Sequence, residues 1–144
     1  MVEAAAHIAP HHIDQLRRSC AKVITPDDAG YDEGRRLWNA IHDRRPAVIA
    51  RPSSAEEVAT AVRFAREHDL EITVRSGGHS ASGLGGANGG LVVDMSAMRG
   101  VEADPRTRTA RANGGALLGS STSPPKRMAS SARPGSSAIP ASPG

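Results

Sequence analysis

Val74-Arg75-Ser76-Gly77-Gly78-His79-Ser80 is the stretch whose reading decides the fold. It follows an extended run, Glu71-Ile72-Thr73-Val74, and leads to a second glycine-rich segment, Gly83-Leu84-Gly85-Gly86-Ala87-Asn88-Gly89-Gly90. Paired glycines remove the Cβ atoms that hold a backbone away from a ligand, and they tolerate positive φ. Successive free N–H groups in such a turn make an anion-binding nest suited to a diphosphate. Arg75 at the start of the turn offers a charge-assisted contact to phosphate. His79 stands where the glycines end, so its imidazole reaches whatever the turn holds. Alone, the pattern also fits a surface turn with a solvated histidine.

The flanks point to alternating strands and helices. Ala47-Val48-Ile49-Ala50, between Pro46 and Pro52, reads as a strand. Ser54-Ala55-Glu56-Glu57 is a capping box, and Val58, Ala61, Val62 and Ala65 follow at helical spacing, with His68-Asp69 ending the helix. Ile72 and Val74 begin the next strand, which predicts a βαβ unit with a right-handed crossover. The glycine turn then leaves the carboxyl end of a strand, where α/β sheets bind ligands. Leu91-Val92-Val93-Asp94 reads as a third strand, Met95 to Gly100 as a turn, and Val101–Asp104 and Thr109–Ala112 as extended segments around a corner at Asp104-Pro105. Earlier in the chain, Ile13, Leu16, Cys20 and Val23 predict a short amphipathic helix, and Thr25-Pro26-Asp27-Asp28 a turn. A further helical segment is expected within 31–42, with Leu37, Trp38 and Ile41 inward as packing residues.

Arg51-Pro52-Ser53-Ser54, the RSGGHS turn at 75–80 and Gly90-Leu91-Val92-Val93-Asp94-Met95-Ser96 occur in an order that resembles the start of a flavoprotein oxidase. The family is the FAD-binding PCMH type (vanillyl-alcohol oxidase / p-cresol methylhydroxylase superfamily), and the berberine-bridge-enzyme-like branch is the most similar. Tyr31-Asp32 through Trp38-Asn39 and Arg44-Arg45-Pro46-Ala47 resemble that branch too, and the resemblance implies that Trp38-Asn39 lies close to the flavin domain, an alternative to Trp38 as a packing residue. The resemblance implies an α+β fold, with the chain holding the N-terminal part of the FAD-binding domain. It implies FAD as cofactor, cradled at its diphosphate by Arg75, Ser76, Gly77, Gly78, His79 and Ser80. It also implies that His79 is the residue bonded covalently to the flavin 8α-methyl carbon. Imidazole nitrogen is a competent nucleophile for such an electrophilic carbon, and a covalent tether fixes the cofactor and tunes its electronics.

Three segments are expected: an N-terminal extension and helix over 1–24, an incomplete FAD-binding domain over 25–119, and a low-complexity tail over 120–144. The tail holds eight serines and five prolines in 25 residues without periodicity, a composition that predicts disorder. The genetic code suggests a sharper reading. One base lost between the codons of Gly119 and Ser120 lets Gly135 to Gly144 encode Gly-Val-Val-Ser-His-Thr-Gly-Val-Ala-Gly, similar to the family's next flavin-contacting segment. The tail is therefore expected to be a frameshift product, and the chain a truncated oxidase. The catalytic base and substrate pocket of the family come from later sequence, so no catalytic residue is assigned here. The rival reading is an inactive, pseudogene-like fragment without independent cofactor binding.

Composition narrows the partners. The 144 residues carry a net charge of +3, yet all fifteen acids fall at or before Asp104, leaving −3 there and +6 after it. With three aromatics in the chain and none in the basic tail, nucleic acid is not an expected partner. A small-molecule substrate of the intact enzyme is, and oligomeric state is not legible. Cys20 is the sole cysteine, which excludes an intrachain disulfide and a thiolate metal site. His7, His11 and His12 are read as a mobile terminus, not as metal ligands. No apolar run suggests a leader or a membrane span, so the expected location is cytoplasmic. Other nucleotide folds fit poorly. A G-x-G-x-x-G fingerprint fails at Asn88, no P-loop motif occurs, and nothing in the spacing joins His79 to Ser76, Ser80 and Asp94 as a hydrolase triad.

Overall fold

Ser54 begins the longest helix as its capping box predicts: its side chain accepts from the Glu57 N–H at 3.3 Å. The Glu57 carboxylate turns outward to bind the N–H groups of Ser53 and Ala21, each at 2.9 Å, which ties the helix start to a distant turn. The structure is a computed structural model and describes residues 8–117. Its elements are α1 (Pro10–Ser19), β1 (Lys22–Ile24), α2 (Tyr31–Arg35), β2 (Val48–Arg51), α3 (Ala55–Glu67), β3 (Ile72–Arg75), β4 (Leu91–Asp94), β5 (Val101–Asp104) and β6 (Thr109–Ala112). The expected low-complexity tail and the expected frame change after Gly119 lie outside the described residues.

Four strands form one mixed sheet in the order β1-β2-β4-β3. β4 runs parallel to both β2 and β3, while β1 is antiparallel to β2. The βαβ unit read from the sequence is therefore present with a modification: β2 and β3 are joined by α3 but do not touch, because β4 inserts between them. This follows from burial. Leu91, Val92 and Val93 are apolar on both faces and at most 1% exposed, so they belong at the centre of the sheet. β5 and β6 form a separate antiparallel hairpin with every residue exposed.

Alternation along the strands sorts the two faces. Val48, Ala50, Leu91 and Val93 pack under α1 and α3, against Ile13, Leu16, Cys20, Ala61, Phe64 and Ala65. Burying a large aliphatic side chain of this kind contributes about 1.5–3 kcal/mol. Ile49 and Val92 face the other way, toward Ile24 and Tyr31, whose hydroxyl donates to the Pro46 carbonyl at 2.7 Å. α1 and β1 thus share the core of the residues that follow them.

Two sequence expectations are corrected. The helix read from Ile13 to Val23 instead spans Pro10–Ser19, with Pro10 in its first turn, where the missing N–H is no loss, and it ends early enough for Lys22–Ile24 to pair with β2. The helix expected within 31–42 stops at Arg35. Leu37 is buried, but Trp38 is 72% and Ile41 is 83% exposed, so neither packs inward. Beyond Arg36 the chain is held by individual hydrogen bonds, described below, which override a helical period.

Candidate functional site

The carboxyl ends of three strands carry a row of charge. Arg51 of β2, Asp94 of β4 and Arg75 of β3 lie side by side on the sheet face opposite α1 and α3. Asp94 is 2% exposed, and its Oδ2 accepts from Arg51 Nη2 at 2.8 Å, Arg51 Nε at 3.0 Å and Arg75 Nη2 at 2.9 Å. Its Oδ1 accepts from the Ser96 N–H at 3.1 Å. Burial pushes the Asp94 carboxyl up, but the hydrogen bonds from Ser96, Arg75 and Arg51 outweigh it and hold the group below its ordinary value. Arg75 also donates to the carbonyls of Gly34, at 2.5 Å, and Arg36, at 3.4 Å. One guanidinium thus joins β3, β4 and the C-terminal end of α2.

Directly after Arg75 the chain turns through Ser76, Gly77 and Gly78. Gly78 has φ +73°, a conformation that glycine adopts without the penalty other residues carry. A Cβ on Gly77 would come within 2.8 Å of His79 Cδ2, so the imidazole lies over a bare backbone. Among the described residues, the N–H groups of Gly77, Gly78 and His79 have no hydrogen-bond partner. Arg75, Ser76, Gly77 and Gly78 line an open groove of about 380 Å³, with Trp38, Arg36, Asp94 and Ser96 on its other walls. His79 is exposed beside the groove, on the Gly77 side. Ser80 points elsewhere: its hydroxyl accepts from the Leu84 N–H at 3.2 Å and its carbonyl from Gly83, which starts the second glycine turn. A backbone stripped of Cβ atoms, with free donors above a cationic row, fits the diphosphate of FAD.

Sequence reading missed the segment that holds this loop in place. Residues 37–45 lie across it as a strap. Asn39 Nδ2 and His42 Nε2 both donate to the Ala81 carbonyl at 3.0 Å. The His42 ring sits where a Cβ on Gly83 would be, 2.5 Å from its Cγ, and Gly83 has φ +70°. Arg45 donates its N–H to Asn88 Oδ1 at 2.9 Å, and its carbonyl accepts from Gly89 at 2.8 Å. Leu37 and Arg44 close on Gly86 in the same way. Gly83 and Gly86 of the second loop are therefore spent on close approach to the strap, whereas Gly77 and Gly78 of the first loop meet no strap residue. No spacing rule signals a strap made of isolated contacts. The Arg51–Asp94–Arg75 row was legible only as three charges at strand ends.

A parallel-centred α+β sheet with an open glycine turn at its carboxyl edge is an arrangement in which α/β proteins bind ligands. The family model for the FAD binding domain matches residues 46–122, just over half of the chain, and the chain belongs to that family, in its PCMH-type, berberine-bridge-enzyme-like branch of FAD-linked oxidases. It is similar to (R)-6-hydroxynicotine oxidase of Paenarthrobacter nicotinovorans, 43% identical over 98 residues, which are 68% of this chain and 21% of that protein. Among solved structures it resembles glucooligosaccharide oxidase from Acremonium strictum, which carries a 6-S-cysteinyl, 8α-N1-histidyl FAD (TM-score 0.63, 32% identity, 72% of this chain and 23% of that one). It also resembles the berberine-bridge-enzyme-like 1 protein of Physcomitrella patens (TM-score 0.59, 29% identity, 66% and 22%). The chain spans about a fifth of the length of the curated relatives it matches.

Among the described residues, no helix is long and apolar enough to cross a membrane.

Proposed function

We propose that this chain supplies the diphosphate cradle and the covalent anchor of an FAD-dependent oxidase. The observation that carries the reading is the open turn at Ser76–Gly78, with unpaired N–H groups beneath an exposed His79. In this reading Ser76, Gly77, Gly78 and the His79 N–H hold the diphosphate. Arg75 contributes its position and charge from below, its guanidinium already bonded to Asp94 and Gly34. Ser80 shapes the loop, and His79 is the residue that bonds the flavin. The histidyl link reported for the glucooligosaccharide oxidase supports that role. The cysteinyl link of that protein has no counterpart among residues 8–117, because Cys20 is buried under the opposite face of the sheet.

FAD held by Ser76, Gly77, Gly78 and His79 would supply the chemistry of a two-electron oxidation, with oxygen as the final acceptor. The substrate class proposed is an alcohol, sugar or amine, in keeping with relatives that oxidise a hydroxynicotine or an oligosaccharide. Residues 25–119 form the proposed domain segment, and a cytoplasmic location is proposed from the sequence.

A second reading is a fragment without independent catalysis or cofactor binding. Purification of the whole chain from cells supplied with riboflavin separates the two. Flavin absorbance at near-stoichiometric ratio supports the cradle. Colourless, folded protein that takes up no added FAD supports the fragment.

A further inference from the structure

Trp38 is the sole tryptophan of the chain, it lines the groove beside Gly77 and Gly78, and it is 72% exposed. An indole left in water forgoes the burial that normally offsets the ordering of its segment. Yet this segment is ordered from both sides. Arg75 Nη1 donates to the Arg36 carbonyl, Leu37 is buried against Gly86, and Asn39 both donates to the Ala81 carbonyl and accepts from the Ile41 N–H. The strap thus presents a rigid aromatic surface at the groove. Nothing else among the described residues in the groove is aromatic. Opposite stands the bare turn that fits phosphates.

Resting on the FAD reading above, we propose that Trp38 is the stacking platform for a planar ring of the bound dinucleotide. Phosphates on the glycine turn leave a heterocycle beside them, and a flat, apolar ring covers the exposed indole with good dispersion contact. Adenine and isoalloxazine share this chemistry, and the binding assay tells them apart. Trp38 is a positioning residue here; no proton or electron passes through it.

The test uses the full chain on a His79→Ala background, which keeps binding reversible, and compares Trp38 with Trp38→Phe and Trp38→Leu. Far-ultraviolet circular dichroism checks the fold, which an exposed side chain should not disturb. Affinities for FAD, FMN and ADP are measured by equilibrium dialysis. The expected result is an about tenfold loss of FAD affinity for Trp38→Leu, with most of it retained in Trp38→Phe. A loss falling on ADP identifies adenine, and one falling on FMN identifies isoalloxazine. FAD binding by Trp38→Leu as tight as the parent overturns the platform, as does an equal loss in the Phe and Leu variants. A parent chain that binds no FAD sinks the oxidase reading itself, a different outcome from either.

Discussion

Asp94 Oδ2 accepts from Arg75 Nη2 at 2.9 Å beneath the glycine turn, and the same oxygen takes Arg51 from the neighbouring strand. One carboxylate thus balances two guanidinium groups, leaving the carboxyl ends of β2, β3 and β4 with a net positive charge. A buried charge that loses its partner is costly because nothing else compensates it. Arg75 is 9% exposed and has Asp94 as its sole anionic partner among the described residues. Asp94→Ala is therefore expected to destabilise the fold by about 3–5 kcal/mol, read as a lower urea midpoint. A midpoint equal to wild type would mean the row is dispensable.

Two glycines separate backbone strain from collision. Gly78 has φ +73° but open space around its Cβ position, whereas a Cβ on Gly90 would lie 2.5 Å from the Glu71 carbonyl oxygen. Gly78→Ala should cost about 1–2 kcal/mol, the penalty of a left-handed non-glycine residue, and weaken FAD binding. Gly90→Ala should cost clearly more, since two strands must separate, and chemical denaturation of both variants ranks them. The reverse order of stability would contradict this geometry.

Acid acts on the other face of the sheet. The His12 ring of α1 lies 3.9 Å from that of His11 and 4.5 Å from that of His68, beyond α3. Desolvation and the neighbouring His11 and His68 push His12 below its ordinary value of 6.5, with Glu67 pulling the other way. A histidine with a depressed folded pKa contributes stability that is fully present above the unfolded pKa and lost as pH falls through the folded one. Stability should therefore decline as pH falls below the ordinary histidine value of 6.5. His12→Gln should flatten that decline, and an unchanged slope in the variant would assign the acid sensitivity elsewhere.

The proposed frame change is checked at the gene. Sequencing across the Gly119 codon should find one missing base whose restoration yields Val-Ser-His-Thr-Gly downstream and a continuing open frame. A verified reading frame identical to the present one removes that proposal.

Much of this was legible in the chain because local chemistry and tertiary demand agree at those points. Ser54 and Glu57 fix the start of α3, the run Leu91–Val93 is apolar enough for both faces of a sheet, and Gly77-Gly78 marks an open turn. The strand order was not legible. Sequence adjacency favours pairing β2 with β3, and only the burial of β4 on both faces moves it between them. The 31–42 segment misled for a related reason. Leu37, Trp38 and Ile41 have helical spacing, yet the carbonyls of Gly34, Arg36 and Ala81 are claimed by Arg75, Asn39 and His42, side chains distant in sequence. Such long-range partners leave no periodic trace. Asp94 looked like a strand-end acid, and only register reveals the two arginines beside it.

Denaturing electrophoresis of purified wild type and His79→Ala, viewed for flavin fluorescence, asks directly whether the glycine turn holds FAD and His79 bonds it. A tether at His79 predicts a fluorescent wild-type band, a dark His79→Ala band, and a His79→Ala protein that still binds FAD reversibly before denaturation. A fluorescent His79→Ala band, or a wild-type chain that is folded and free of flavin with FAD in excess, would contradict it.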